Sequence, residues 1–346
     1  MTPPSGAAGN WRFDRLAAER TQAVAGFGLT ERQARFLIEV MIHSGVFVER
    51  QYCRFAGIVH GQKTHDFLRK LVERGYARPI QVGSLHRGRV FHVSHKPLYA
   101  ALGQADNRHR KSMPIGRMVE RLMVLDAVLA DRSFTWLGTE QDKRTHFLTH
   151  LQQRVTEDDF PRITFGSGEA STHRYFPDKL PIGIRPNSGD HVLIYLITKP
   201  MPDDFRVFLQ RHAALLGLLK RWAIQVLVPA PMAIAIPRFG RAARDELATP
   251  IRLNMAQELE WYFHERQRHE QAPDVADEDR FRRARAAFSA PRYRVLYRAW
   301  QKHGDSVVWA TTSHVLRDAL ERQEGRVEFV QLTHQYMHLS SLVGVA

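Results

Sequence analysis

Apolar residues recur at helical spacing through Phe36, Leu37, Val40 and Met41, and the string Thr30-Glu31-Arg32-Gln33 ahead of them has the spacing of a capping box. The Thr30 hydroxyl can accept a backbone N–H and Gln33 can reach back, so the pattern predicts a helix that starts there and ends at Gly45. A second, short helix is predicted over Glu49 to Ala56, stopped by Gly57. A third runs from about Gln62 to Arg74, with Phe67, Leu68, Leu71 and Val72 turned inward and Gly75 placed to follow its last turn. After Gly75 the period changes to two: Tyr76 to Val82 and Arg89 to Val93 read as strands around a glycine-bounded basic turn, a hairpin. Upstream, Trp11 to Ala25 reads as a charged helical arm.

Beyond the hairpin, Gln104 to Met113 is polar and basic and is followed by Pro114 and Gly116, the composition of a linker. Met118, Leu122, Leu125 and Leu129 then share one helix face, and a second helix is predicted from Thr139 to Gln152. Strand-like runs follow at Arg162 to Phe165, Thr172 to Phe176 and His191 to Thr198. A helix over Asp203 to Lys220 and a buried strand over Ala223 to Val228 complete the order helix, three strands, helix, strand. Leu253 to His269 is helical, Gln271 to Asp279 is an acidic break, Arg280 to His303 forms one or two basic helices, and Ser306 to Val330 reads strand, helix, strand. The fold class expected is α+β, divided as 1–28, an arm; 29–100, three helices and a hairpin; 101–116, a basic linker; 117–238, an αβββαβ unit; and 239–346, a mostly helical region.

Charge narrows the choice of partner. Met1 to Lys111 carries 18 basic against 8 acidic residues, whereas the remaining 235 residues carry 32 against 28, so most of the net +14 sits at one end of the chain. Solubility alone accounts for excess Lys and Arg but not for their asymmetry, and a polyanion is the partner expected there. The single cysteine, Cys53, excludes an internal disulfide and a Cys-based zinc cage, in keeping with a reducing cytoplasm. The start MTPPSGAAGN lacks a basic region leading into an apolar core, so no signal peptide is expected. Trp222 to Pro237, the best candidate for a span, is interrupted by Pro229 and Pro231 and falls short of the ~20 apolar residues a bilayer demands, so no membrane is expected as a partner.

Three helices followed by a hairpin is the order of a winged helix-turn-helix, and HGQKTHDFLRKLVERGYARPI resembles the recognition helix and first wing strand of bacterial winged-helix regulators. With the apolar residues of the third helix inward, Gln62, His65, Asp66 and Arg69 occupy the opposite face and Lys63 its edge. Arg can bind guanine, and Gln adenine, through two hydrogen bonds, each worth ~1–3 kcal/mol of discrimination. Arg87 and Arg89, on or beside the wing tip, suit phosphate or a narrow minor groove. The alternative for this face is a solvated helix surface on a protein-docking module.

The central order, with Pro177-Asp178 closing the second strand, resembles the PD-(D/E)xK nuclease core. That resemblance implies an acidic residue on the second strand, another on the third to share a divalent metal, and a nearby lysine. Asp178 matches the first and Lys199 the last, but Ile197 stands where the second carboxylate belongs, and isoleucine cannot ligate Mg²⁺. Asp190 and Glu169 are substitutes from neighbouring positions, and a turn residue after Pro177 is the plainer role for Asp178. A winged helix joined to a degenerate nuclease-like core, with the string Tyr175-Phe176-Pro177-Asp178, is similar to the replication-relaxation family of bacterial plasmids and integrative elements.

Other chemistry finds little support. His146 with His150, and His334 with His338, have the i, i+4 spacing of zinc helices but lack the neighbouring Glu of an HExxH site, so no metal is expected. No phosphate-binding GxxxxGK[ST] loop, dinucleotide GxGxxG or nucleophile GxSxG occurs, and no cofactor is expected. The arginines of Arg280 to His303 suit either a phosphate contact or a solvated surface. The first functional expectation is a sequence-specific transcriptional regulator of a mobile element that binds double-stranded DNA as a homodimer on an inverted repeat. The alternatives are a metal-dependent nuclease or replication accessory protein, and an adaptor whose winged helix holds proteins.

Overall fold

A computed structural model describes residues 7–81, 89–151, 154–166, 171–186, 188–271 and 277–336. The fold is mixed α+β. Helix α1 (Ala7–Ala25) precedes α2 (Glu31–His43), whose start carries the expected box: the Gln33 N–H donates to the Thr30 hydroxyl at 3.3 Å and the Thr30 N–H to the Gln33 amide oxygen at 3.0 Å. Phe36, Leu37, Val40 and Met41 are wholly buried, as their spacing requires. Gly45, at φ +78°, turns the chain into strand β1 (Val46–Val48). A Cβ there would lie 2.6 Å from the His109 carbonyl oxygen, so the position takes only glycine.

Helices α3 (Glu49–Ala56) and α4 (Gln62–Glu73) follow, then β2 (Ala77–Gln81) and β3 (Arg89–Val93). β3 pairs antiparallel with both β1 and β2, so a three-stranded sheet in the order β1-β3-β2 lies beside three helices. β1 had no signature in the sequence because three residues are too few to show an alternation. Phe67, Leu68 and Leu71 are buried as expected, but Val72 is 39% exposed: at the end of α4 it faces a groove instead of the core. A short helix α5 (Lys96–Ala100) leads into the basic stretch, most of whose residues from Gln104 to Met113 are half-buried. His109 there is buried, and its carbonyl accepts from the His92 ring at 2.8 Å.

The central sheet differs from the expected one. Its five strands run β10 (Gly325–Gln331), β9 (Trp222–Val228), β8 (His191–Leu196), β7 (Ile182–Ile184), β4 (Thr135–Leu137). The β4, β7 and β8 neighbours are antiparallel, and β8, β9 and β10 are parallel. Arg162–Phe165 (β5) and Thr172–Tyr175 (β6), taken from the sequence as two of its strands, pair only with each other in a separate ribbon. The reason is burial. β5 and β6 keep mostly exposed or half-exposed side chains, whereas β8 and β9 are near-continuous apolar runs covered on both faces.

Helix α6 (Ile115–Ala130) joins the two units. Its Leu125 and Leu129 enter the core of α2, α3 and α4, while Met118, Leu122 and Met123 pack with Val46 and Val90 on one side and Ile194, Leu196 and Leu227 on the other. Leu193, Ile224, Val226 and Val228 point to the opposite face, against Phe205, Phe208 and Leu209 of α8 (Asp203–Leu218). Helix α7 (Glu140–Leu151) adds Phe147 to that layer.

The C-terminal third packs α10 (Leu253–Gln271), α11 (Glu278–Ala287) and α12 (Pro291–His303) around Tyr262, Phe263, Phe281, Leu296 and Trp300, following α9 (Ile236–Ala243). Ser306–Ala310, expected as a strand, is helix α13; α14 (Val315–Glu321) follows it, and β10 returns to the central sheet as a parallel partner of β9. Among the described residues no helix is long and apolar enough to cross a membrane.

Candidate nucleic-acid interface

The outer face of α4 is open. Gln62, Lys63, His65 and Arg69 are exposed and Asp66 is half-buried, so no other part of the described chain covers them. One Asp66 carboxylate oxygen accepts from the Gln62 amide at 2.8 Å and from the Arg69 guanidinium at 2.6 Å. Arg69 also lies 3.8 Å from Glu73. Such surface pairs are worth about 0–1 kcal/mol, so they orient Gln62 and Arg69 without locking them, and a competing phosphate or base edge can take either. Arg89 is exposed at the start of β3, opposite Gln81. Arg87 lies outside the described residues.

Between α3, α4 and the hairpin runs a groove of about 1050 Å³. His65, Arg69 and Arg89, together with Glu49 and Glu73, line its polar side, and Leu68, Val72 and Phe91 its apolar side. Tyr336, just after β10, also lines it. The Tyr336 hydroxyl accepts from Arg50 at 2.6 Å and from Gln51 at 3.0 Å and donates to Asp126 at 2.6 Å. Arg50 meets both Asp126 oxygens, at 2.9 and 2.8 Å. Burial and the Asp126 carboxylate push the Tyr336 phenol well up, so it stays protonated as a donor. No pattern in the sequence pointed to this clasp, because its four members come from α3, α6 and a segment 286 residues from Arg50.

Among the described residues two groups could hold a cation. Glu49, His60 and His65 each bring one ligand atom within 4.8 Å of the others, at the α3–α4 turn, with His60 Nε2 3.0 Å from Glu49 Oε1. Glu260, His264 and Asp305 do the same between α10 and α13. The first group, one carboxylate and two imidazoles, is a donor set that zinc accepts, whereas the second offers two carboxylates and one imidazole.

Of the degenerate nuclease positions, Asp178 and Lys199 each pair with another residue. Asp178 sits four residues before β7 and Ile197 just after β8, where the Ile182↔Leu193 register brings the two turns close. Ile197 is buried, while Lys199 is exposed and paired with Asp204 at 3.1 Å. The cation beside Asp178 is instead Arg211, at 3.5 Å. Lys143 of α7 is fully buried nearby; burial holds its ammonium down to about 7 against the pull of Asp178, and its Nζ donates to the Leu180 carbonyl at 2.6 Å. Asp190 pairs with Arg221 at 3.7 Å, and Glu169 lies outside the described residues. Among the described residues Asp178 joins no group of three metal-ligating side chains.

His146 Nε2 meets His191 Nε2 at 2.8 Å, with the His150 ring stacked beside it. Burial holds all three imidazoles below their ordinary range, His191 down to about 3, which makes them neutral partners inside the fold. His338 lies outside the described residues. In the C-terminal third, Arg280 is paired with Glu258, Arg282 with Glu278 and Asp279, and Arg292 lies 3.8 Å from Glu246, so these arginines already hold carboxylates. No family model matches the chain, and neither a curated protein nor a solved structure matches it.

Proposed function

We propose that the protein binds double-stranded DNA through a winged helix-turn-helix made of α2, α3, α4 and the β1-β3-β2 sheet, and that it acts as a cytoplasmic regulator of a mobile element as a homodimer. One observation carries the reading: the polar face of α4 stands open to solvent, with Gln62 and Arg69 held side by side on Asp66, in the part of the chain with most of the positive surplus. A helix of this diameter fits the major groove, and these two side chains make paired hydrogen bonds to base edges. Arg89, at the start of β3 opposite Gln81, reaches the flanking phosphates. The core around α6 to β9 is read as a nuclease-like scaffold that no longer cuts.

Fluorescence anisotropy on duplexes from the promoter of its own gene, over a salt series, tests this. Specific binding whose log K falls by about 0.9 per phosphate contact for each unit of log salt is expected. Arg69→Ala should cost about 1–3 kcal/mol and relax preference at one position, while Arg89→Ala should weaken all duplexes alike. Affinity indifferent to salt, or untouched by both changes, overturns the reading and leaves the protein-docking alternative. The nuclease alternative is disfavoured by the buried Ile197 and by Lys199 being held on Asp204; Mg²⁺- or Mn²⁺-dependent cleavage abolished by Asp178→Ala would restore it.

A further inference from the structure

We infer that the cavity between the 104–111 stretch and the start of α7 is a binding site for a small phosphorylated anion, a ligand distinct from the duplex. The cavity measures about 690 Å³ and is bounded on one side by residues 103–111 and on the other by Gly138 to Lys143 and the end of β6 with the turn after it. Its lining carries five basic side chains, Arg108, Lys111, Lys143, Arg174 and Lys179, against two acidic ones, Asp106 and Glu140.

Arg108 is the principal cation of the cavity. Among the described residues its buried Nε and Nη2 have no hydrogen-bond partner and no carboxylate pairs with it. A guanidinium with two of its nitrogens buried in that condition is destabilising, because those donors have given up water without gaining an anion. Burial, then Arg121, Arg174 and Arg117, hold it down to about 9. Proteins keep such a group where a ligand supplies the missing charge.

Lys179 points to the same conclusion from the backbone. It occupies the left-handed region, φ +54°, and so does Phe176, φ +46°, although neither is glycine. The Lys179 N–H donates to the Phe176 carbonyl at 3.0 Å, closing a tight turn that carries the Lys179 side chain to the cavity. Burial together with Arg108, Arg174 and Arg121 lowers its ammonium to about 8, so like charges are being held together there. Strained backbone and unpaired like charges at one place mark a site organised for something that arrives later.

The chemistry of that ligand follows from the lining. A planar guanidinium with two free donors suits the paired oxygens of phosphate, and two further cations call for an anion of more than one charge. The volume exceeds what a bare phosphate fills and lies within the ~300–1,000 Å³ of small-molecule pockets. Residues Gln104 to Lys111 and Arg174 to Lys179 come from the two units that α6 joins, so the ligand would touch both.

The full-length protein, free of DNA, is titrated with pyrophosphate and with ADP against sodium chloride of equal ionic strength, by calorimetry and thermal unfolding. Saturable one-to-one binding with a rise in Tm is expected. Arg108→Gln should raise the Tm of the unliganded protein, since it removes an unpaired buried charge, and should weaken anion binding about tenfold or more. Lys179→Gln should weaken binding similarly, and the distant Arg322→Gln should leave it unchanged. The proposal is overturned if neither anion does more than chloride, or if Arg108→Gln binds them as tightly as the parent. It is equally overturned if no free anion binds while Arg108→Gln weakens duplex binding, which would make the cavity a seat for the DNA backbone. Because this titration contains no DNA, its outcome is separate from that of the Arg69 and Arg89 experiment.

Discussion

Replacing Asp126 by alanine should cost the protein about 3 kcal/mol of stability, and the figure can be worked from the contacts it loses. Asp126 is 8% exposed, and its two oxygens receive Arg50 at 2.9 and 2.8 Å, Gln51 at 3.1 Å and the Tyr336 hydroxyl at 2.6 Å. Removing one partner of a buried ion pair costs about 3–5 kcal/mol, mainly because the other charge is left uncompensated. The Arg50 side chain is 34% exposed and can recruit water, which places the loss at the lower end. Gln51 retains the Leu122 carbonyl at 2.9 Å and therefore adds little. Tyr336→Phe is the internal comparison. It removes one hydroxyl but leaves Arg50 on both Asp126 oxygens, so its loss should stay near the ~1 kcal/mol of an ordinary hydrogen bond. Urea unfolding followed by tryptophan fluorescence measures both, and Asp126→Ala should also lower Tm by about 5 °C. If Asp126→Ala costs under about 1 kcal/mol, or no more than Tyr336→Phe, the clasp does not hold α3, α6 and the C-terminal segment together as described.

Three smaller tests bear on the same architecture. Gly45→Ala should destabilise by about 2 kcal/mol or more, because it strains φ +78° and drives Cβ to 2.6 Å from the His109 oxygen; unaltered urea unfolding would contradict the packing of the basic stretch. Thr30→Ala should cost about 0.5–2 kcal/mol through loss of the α2 cap, measured the same way, whereas Thr30→Ser should restore most of it. The buried Lys143 has its folded value near 7, below the 10.5 of the unfolded chain, so between those values the unfolded state binds more protons and stability rises with pH. Its penalty is fully present below pH 7 and fades above it, and Lys179, near 8, acts in the same direction. Urea midpoints from pH 7 to 9.5 should therefore climb, and Lys143→Met should flatten the climb; an equal slope in the variant would show that Lys143 is not the group concerned.

Local signals carried a good part of the description. The Thr30–Gln33 box, the apolar stripe of α2, the stop at Gly57 and the change of period after Gly75 all act within a few residues, and each recurs in the structure at the place expected. The same holds for the open face of α4, since burying Phe67, Leu68 and Leu71 turns Gln62 and Arg69 outward by helical geometry alone. Val72 escaped that logic because the stripe ends where the groove begins, and a period says nothing about what stands opposite.

Pairing over long distances belonged to the tertiary structure. β4 and β7 are three residues each, too short for any alternation; β7 joins the sheet through hydrogen bonds to β8, and β4 through hydrogen bonds to β7. β5 and β6 looked like better strands, yet their polar side chains suit an exposed ribbon. β10 enters beside β9 after a separation of about a hundred residues, a choice made by packing and not by composition. By itself the sequence determined the local elements, the cationic N-terminal part and the outward face of α4, since these depend on neighbours in the chain. Only the tertiary structure decided that Lys143 is buried, that Arg108 is partly so and that Tyr336 closes on Asp126, because burial and charge pairing depend on which distant segments share one volume.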